Sequence, residues 1–217
     1  MLGRVVELLG LVEKSCVVCG LDFKMGSQGY ICDECLNDIT PGVVPCREHS
    51  EFIESCRVFS AYEGVLREAL RTLKFRSVKP LAYELGKRFS AHMKEFIEEV
   101  RPDLISYVPV HTFRMWNRGF DHNVALLEGA EIEFTSLLNR VKHSAPLASK
   151  GKEERIKAVS GAFSLIREKV SLIENKRILV FDDILTTGAT SSQVGELLMS
   201  YGAMSVYFYF LAKEGVN

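Results

Sequence analysis

Apolar residues recur along this chain with two periods, one typical of strands and one typical of helices. Segments of strand composition occur at residues 58–62, 104–110, 178–181 and 204–211. Apolar residues at helical spacing occur over residues 65–73, 81–100 and 194–198. Strands that alternate with helices favour an α/β fold with a parallel sheet. The last strand is continuously apolar, so we expect it to lie inside the sheet.

An acidic pair and a turn of small residues follow the apolar run at 178–181. Asp182 and Asp183 form the pair, and we expect the strand to end there. The turn that leads into the next helical segment consists of Thr186, Thr187, Gly188, Ala189 and Thr190. Amides at a helix N-terminus and threonine hydroxyls bind phosphate, while carboxylates accept hydrogen bonds from sugar hydroxyls. A ribose 5-phosphate would suit both the acidic pair and the turn. Alternatively, the acidic pair only ends a strand and Thr190 caps a helix.

Four of the six cysteines form two Cys-x-x-Cys pairs near the N-terminus. They are Cys16, Cys19, Cys32 and Cys35. This spacing predicts a structural Zn²⁺ with a closed coordination sphere, and we favour it over two disulfides. The remaining candidates, Cys46, His49 and Cys56, are either a second, degenerate metal site or two small buried residues and a surface histidine; we favour the latter.

Composition limits the classes of function. The 217 residues are 47% hydrophobic and 25% charged, with a formal charge of −1, which indicates an ordinary globular chain without a global field for nucleic acid. The first 12 residues predict a short amphipathic helix rather than a leader. We find no apolar run long enough to span a bilayer and no export signal, so we expect a cytoplasmic protein.

Residues 180–190 resemble the phosphoribosyl pyrophosphate (PRPP) signature of type I phosphoribosyltransferases. Together with the cysteine pairs, the chain resembles the ComF/GntX family from about Cys16 to Leu211. The resemblance implies an α/β, parallel-sheet type I phosphoribosyltransferase fold with a small N-terminal zinc-binding module. We place the module, with its preceding helix, at 1–56 and the phosphoribosyltransferase-like domain at 57–217.

The resemblance also implies roles for particular residues. Asp182 and Asp183 would hold the ribose hydroxyls, and the turn at 186–190 would hold the 5-phosphate. The basic, aromatic segment at 111–121, which we predict to be an irregular loop, resembles the pyrophosphate-binding segment through Arg118 and Gly119. Arginine pairs bidentately with phosphate oxygens, and glycine permits an unusual backbone conformation. Alternatively, the segment packs through its aromatic residues and its arginines are solvated.

Other basic and histidine residues receive weaker interpretations. Lys74 and Arg76 could face a phosphate or a solvated helix end equally well. We interpret His122 as structural or peripheral. The cationic, aperiodic stretch at 140–155 predicts a mobile loop. The resemblance implies that it closes over a reaction centre, with Lys150, Lys152 and Arg155 as possible pyrophosphate contacts; a charged linker is the alternative.

The leading functional hypothesis is a Mg²⁺-dependent protein that binds PRPP and transfers or exchanges a phosphoribosyl group. The alternative is a non-catalytic module that binds nucleotides or single-stranded DNA and acts in competence and DNA uptake. No residue set in the sequence indicates the acceptor base or the oligomeric state.

Overall fold

Four parallel strands form the central sheet of the protein. In a computed structural model of the protein, we describe residues 15–23, 29–46, 50–141 and 161–215. The strands are β1 (Ser55–Ala61), β2 (Leu104–Tyr107), β5 (Arg177–Leu185) and β6 (Ser205–Lys213). Their order across the sheet is β1-β6-β5-β2. Two short strands, β3 (Leu138–Arg140) and β4 (Phe163–Leu165), pair antiparallel in a second sheet.

Helices cover both faces of the central sheet. They are α1 (Asp33–Asp38), α2 (Gly64–Phe75), α3 (Lys79–Val100), α4 (Thr112–Arg118), α5 (His122–Gly129) and α6 (Ala189–Ser200), with a 3₁₀ helix at Arg167–Leu172. The parallel α/β fold predicted from the sequence is therefore confirmed. None of the helices in the described part of the chain is both long and apolar enough to cross a membrane.

Successive side chains of the two central strands pack on opposite faces of the sheet. Leu179 and Phe181 of β5 join the core on the side of α3, where Phe181 stacks on Phe89 with ring centroids 5.6 Å apart. Ile178 and Val180 join the core on the side of α6. β6 lies between β1 and β5 and is buried on both faces, which confirms the expectation for the last strand.

Strand β5 does not end at the acidic pair, as we predicted, but continues to Leu185. Pairing with β6 extends that far, with Asp182 opposite Phe210 and Ile184 opposite Ala212. Hydrogen bonds to a neighbouring strand therefore outweigh the change in side-chain polarity.

The segment predicted as an irregular loop at 111–121 also differs, because much of it is the helix α4. The Nδ1 atom of His111 accepts a hydrogen bond from the backbone N–H of Phe113 (3.1 Å) and caps its N-terminus. Gly119, at φ 83°, ends the helix by donating its N–H to the carbonyl of Met115 (2.7 Å). That positive φ is the conformation that glycine adopts most readily.

Helix α5 is held close against α3 by two glycines. A Cβ atom on Gly86 of α3 or on Gly129 of α5 would meet backbone atoms of the other helix at less than 3.0 Å. The close approach fixes α5 beside β5, with its first turn at the carboxyl end of that strand. This position brings His122 and Asn123 to the acidic pair.

The cysteine-containing segment is attached to α3 by side chains that bind its backbone. Glu84 accepts hydrogen bonds from the N–H groups of Tyr30 (2.8 Å) and Ile31 (3.2 Å). Arg88 donates to the carbonyl of Ile39 (2.6 Å). Cys16, Ile31, Cys35 and Ile39 also belong to the core on the α3 side of the sheet.

Cys46 and Cys56 form a disulfide, with Cα atoms 5.7 Å apart. They are therefore not metal ligands, and both are half-buried rather than buried, so both interpretations of these two residues were wrong. The start of β1 brings Cys56 beside the segment that contains Cys46, within the Cα separation that disulfides require. His49, the N-terminal residues 1–12 and the cations at 150, 152 and 155 lie outside the described residues.

Candidate functional site

A cavity of about 730 Å³ lies at the carboxyl end of the central sheet. Residues at the ends of all four parallel strands line it, which is where ligand sites form in open α/β sheets. Tyr62 follows β1, Val108 follows β2, Asp182 and Asp183 belong to β5, and Glu214 follows β6. The volume is within the usual range for a small-molecule site.

Asp183 is a buried carboxylate with two basic partners. Its Oδ2 atom accepts a hydrogen bond from Nε2 of His122 (2.7 Å) and forms an ion pair with the ammonium of Lys74. Burial acts to raise the pKa of Asp183, but the charge of Lys74 and the contact with His122 outweigh it and hold the pKa well below its usual range. Asp183 is therefore a fixed negative charge.

The negative charge of Asp182 is less fully compensated by neighbouring groups than that of Asp183. Its Oδ1 atom accepts hydrogen bonds from Nδ2 of Asn123 (3.2 Å) and from the N–H of Asp183 (3.0 Å). Burial, followed by the charge of Asp183, raises the pKa of Asp182 to about 7. Asn123 also donates to the carbonyl of Val108 (2.8 Å), and so it connects β2 to β5 at the cavity. Asp183 thus stays ionised, while Asp182 gains or loses its proton near neutral pH.

The turn of small residues borders the same cavity. Thr186 and Thr190 line it, whereas the other three residues of the turn do not contribute to the lining. Gly188 has φ 75° and is the N-cap of α6, a position where glycine offers no side chain as a cap. Thr190 is therefore not the cap, contrary to the alternative considered from the sequence. N–H groups in the first turn of a helix donate hydrogen bonds to anions, so the start of α6 is a candidate anion site.

Arginines from two elements line the cavity. Arg114 and Arg118 belong to α4, and Arg140 belongs to β3, where its guanidinium lies 5.1 Å from the ring centroid of Phe163. The Nε atom of Arg118 donates to the carbonyl of Lys74 (3.0 Å), and Nη1 contacts Nδ1 of His122. Gly119 is not part of the lining; its place in the structure is the end of α4.

Four residues of the site were missed or left undecided by sequence reasoning. They are Lys74, His122, Asn123 and Arg140. Lys74 and His122 meet Asp183 from positions more than 60 residues away along the chain, so no local pattern could pair them with it. The clue for His122 and Asn123 was their place three and four residues after Gly119, at the start of a helical pattern.

The four predicted cysteine ligands lie together. Their sulfur atoms are all within 4.8 Å of one another, and those of Cys19 and Cys32 are 3.7 Å apart. Tetrahedral Zn²⁺ with ~2.3 Å bonds holds sulfurs ~3.8 Å apart. Burial acts to raise the pKa of Cys16, but hydrogen bonds from backbone N–H groups lower it to about 6. The four cysteines are positioned to bind a metal ion.

Curated proteins with similar sequences are competence and DNA-utilization proteins. Competence protein ComFC of Streptococcus pneumoniae is 30% identical over 159 residues, which are 73% of this chain and 68% of that protein. Competence protein F of Haemophilus influenzae is 29% identical over 119 residues, and DNA utilization protein YhgH of Salmonella typhi is 26% identical over 118 residues. The chain spans about half the length of these last two relatives, 51% and 50%.

Solved structures with partial similarity to the chain include two enzymes. The allosteric regulatory enzyme of purine biosynthesis matches 59% of this chain and 25% of its own, with 20% identity and a TM-score of 0.37. A hypoxanthine phosphoribosyltransferase from Staphylococcus aureus matches 61% of this chain and 62% of its own, with 17% identity and a TM-score of 0.34. Likeness of this extent says nothing about a shared ligand or activity. No family model matches the chain.

The environment of Asp182 predicts an unusual titration. We expect its carboxyl ¹³C resonance to titrate near pH 7, because burial and the charge of Asp183 favour the protonated form. The unfolded chain releases this proton near pH ~4, so Asp182 should lower the free energy of unfolding as pH rises from about 4 to 7. In D183N the pKa of Asp182 should fall. Titration of Asp182 near pH 4 in the wild-type protein would contradict this description.

Proposed function

This chain belongs to the ComF family, and from that premise we propose that it binds PRPP with Mg²⁺ and transfers or exchanges the phosphoribosyl group. One observation carries the proposal: a single cavity brings together the acidic pair, threonines at the start of α6 and three arginines. PRPP has hydroxyls, a 5-phosphate and a pyrophosphate, so it presents a complementary group to each of these features.

The acidic pair is assigned to the ribose. Oδ1 of Asp183 accepts no hydrogen bond in the described part of the chain, since both basic partners contact Oδ2. That oxygen and the unprotonated form of Asp182 can accept hydrogen bonds from the 2- and 3-hydroxyls. A negative charge beside the ribose also stabilises the oxocarbenium character that develops during displacement at the anomeric carbon.

The 5-phosphate and the pyrophosphate of PRPP are assigned to opposite sides of the acidic pair. Thr186, Thr187, Gly188, Ala189 and Thr190 would bind the 5-phosphate through the N–H groups and hydroxyls at the start of α6. Arg118, with Arg114 and Arg140, would bind the pyrophosphate, and Gly119 would set the end of α4 that presents Arg118. The guanidinium of Arg118 is partly occupied, because Nε and one N–H of Nη1 contact protein groups, so Nη2 and the second N–H of Nη1 are left to reach the ligand.

The donor set suits Mg²⁺ bound mainly through ligand oxygens. Among the described residues, the cysteines are the only group of three or more potential ligands that lie together, so no carboxylate cage surrounds the cavity. Mg²⁺ commonly keeps several waters and binds through one or two carboxylates plus phosphates. When bound, it would supply charge neutralisation for the departing pyrophosphate, and the oxygens of Asp182 and Asp183 are the protein groups that could orient it.

Binding of PRPP tests this proposal directly. We expect the wild-type protein to bind PRPP in the presence of Mg²⁺ in isothermal titration calorimetry. D182N and D183N should each weaken binding by about tenfold or more, because a hydrogen bond to a charged group contributes about 1.5–3 kcal/mol.

D103N provides the matched control. Asp103 accepts a hydrogen bond from the N–H of Arg177, at the amino end of the same sheet, so its replacement changes the net charge equally but lies away from the cavity. D103N should bind PRPP as the wild type does. Equal affinity of D183N and the wild-type protein would exclude the proposed role of the acidic pair. For a protein that binds PRPP, an assay of pyrophosphate release in the presence of different bases distinguishes phosphoribosyl transfer from binding alone.

A second candidate function, binding of single-stranded DNA, is favoured by the names of the relatives and by exposed aromatic residues. Helix α4 contains no buried residue and exposes Phe113 (55%) and Trp116 (86%), while Phe75 at the end of α2 is 80% exposed. Arg114 lies on the same helix and lines the cavity. Aromatic faces beside cations form stacking platforms for bases. The cysteine module is less suitable, since its described residues 15–23 and 29–46 carry four carboxylates and no lysine or arginine.

The two candidates differ in their response to salt. If single-stranded DNA binds at α4, anisotropy of a labelled oligonucleotide should show affinity that falls steeply between 50 and 200 mM salt, roughly as expected for several neutralised phosphates. W116A should weaken binding by about tenfold, since stacking contributes about 1–3 kcal/mol per base. Y201A is the control, because Tyr201 is an exposed aromatic residue (48%) at the end of α6. Affinity that is independent of salt would eliminate this candidate.

The metal bound by the four cysteines is proposed to be a structural Zn²⁺. Four thiolates leave no open coordination position for catalysis. We expect about one zinc per chain by mass spectrometry, and loss of it in C35S with a lower unfolding temperature, because metal binding contributes to folding of the module. C56S should retain the metal, since Cys56 pairs with Cys46 and not with the cluster. Protein prepared under reducing conditions without stoichiometric metal would refute the assignment.

Two further expectations remain part of the proposal. We retain the division into a module at 1–56 and a phosphoribosyltransferase-like domain at 57–217. We also retain a cytoplasmic location, because thiolates that bind metal are maintained in a reducing compartment. In such a compartment, glutathione and thioredoxin would act to reduce the Cys46–Cys56 bond.

A further inference from the structure

A continuous series of polar contacts crosses the floor of the cavity from α4 to β5. Nη1 of Arg118 contacts Nδ1 of His122, and Nε2 of His122 lies 2.7 Å from Oδ2 of Asp183. Lys74 forms an ion pair with the same Oδ2 atom and offers its backbone carbonyl to Nε of Arg118 (3.0 Å). The four residues therefore form a closed ring of contacts that joins α2, α4, α5 and β5.

The chemistry of these partners determines the protonation state of His122. A guanidinium can only donate hydrogen bonds, so Nδ1 of His122 must accept and carry no proton. Nε2 then carries the proton and donates a hydrogen bond to the carboxylate of Asp183. His122 is 5% exposed, and burial lowers its pKa, which agrees with a neutral ring. The imidazole is thus a bridge with one accepting side and one donating side.

The contacts of His122 determine which atoms of Arg118 and Asp183 remain available to bind a ligand. His122 uses one N–H of Nη1 of Arg118, and the carbonyl of Lys74 uses the N–H of Nε, so the guanidinium is held in one orientation with both N–H groups of Nη2 and the second N–H of Nη1 remaining. On the other side His122 occupies Oδ2 of Asp183, which leaves Oδ1 as the acceptor. A change in the position of either group must therefore alter the contact that His122 makes with the other.

We propose that His122 is a positioning residue that couples the group for pyrophosphate, Arg118, to the group for the ribose, Asp183. This inference rests on the proposed function, since it assigns the two groups to two parts of one donor molecule. His122 touches neither part itself. His122 holds Arg118 and Asp183 in a fixed orientation with respect to each other before the ligand binds. Binding of a ligand with both a ribose and a pyrophosphate therefore costs less conformational entropy.

The tautomer of His122 can be measured without any ligand. ¹⁵N NMR at neutral pH should show Nδ1 unprotonated and Nε2 protonated, because one faces a guanidinium and the other a carboxylate. Protonation at Nδ1, alone or together with Nε2, would overturn the proposal, since Arg118 could not then donate to that atom.

Substitutions at His122 distinguish positioning from a purely structural role. The side chain of H122Q can accept from Arg118 through its oxygen and donate to Asp183 through its nitrogen, whereas H122L can do neither. We expect H122Q to bind Mg²⁺-PRPP within about threefold of the wild type and H122L to bind at least about tenfold more weakly, the range of a lost hydrogen bond to a charged group. Equal affinity of H122L and the wild type would contradict the proposal, as would equal weakening in the two variants.

A double-mutant cycle measures the coupling itself. R118Q and D183N should weaken Mg²⁺-PRPP binding non-additively when His122 is present, by about fivefold or more, and additively within error in H122L. Urea unfolding of each variant checks that the protein remains folded. Additive effects in the presence of His122, or coupling that persists in H122L, would overturn the inference while the proposed function survives. Failure of the wild-type protein to bind Mg²⁺-PRPP would overturn both.

Discussion

The buried negative charge of Asp183 is the interaction on which the rest of the site depends. A carboxylate removed from water is costly unless it is paired and hydrogen-bonded, and here Lys74 and His122 provide both. Each of these partners is fixed in turn, one at the end of α2 and the other at the start of α5. Compensating one charge therefore requires that two helices and the central strand meet at one place.

The parallel sheet makes that meeting possible. All four strands end at the same edge, so residues from distant parts of the sequence converge on one cavity without long loops. The two glycines at the crossing of α3 and α5 bring α5 close enough for its first turn to reach β5. Asp182, one residue before Asp183, forms no ion pair with another described residue, whereas Asp183 pairs with Lys74. The two adjacent aspartates consequently differ in protonation: Asp183 stays ionised, while Asp182 titrates near neutral pH.

Sequence reasoning identified the elements whose signal is local. The periodicity of residues 81–100 predicted α3, and the apolar run of β6 predicted a strand inside the sheet, and both are confirmed. The convergence of four cysteines could also be predicted, since spacing alone defines that pattern. What failed depended on distant partners. β5 extends past its carboxylates because β6 pairs with it, and Cys46 joins Cys56 because β1 places them together. Pairing of Lys74 and His122 with Asp183 arises only from the packing of three separate elements.

A crystal structure of the protein with Mg²⁺ and PRPP is the most direct test of the central claim. We expect ribose hydroxyls within hydrogen-bonding distance of Asp182 and of Oδ1 of Asp183, with the 5-phosphate at the N–H groups of the first turn of α6. We also expect the pyrophosphate against the terminal nitrogens of Arg118. An empty cavity at saturating PRPP, or a ligand whose 5-phosphate lies away from α6, would contradict these assignments.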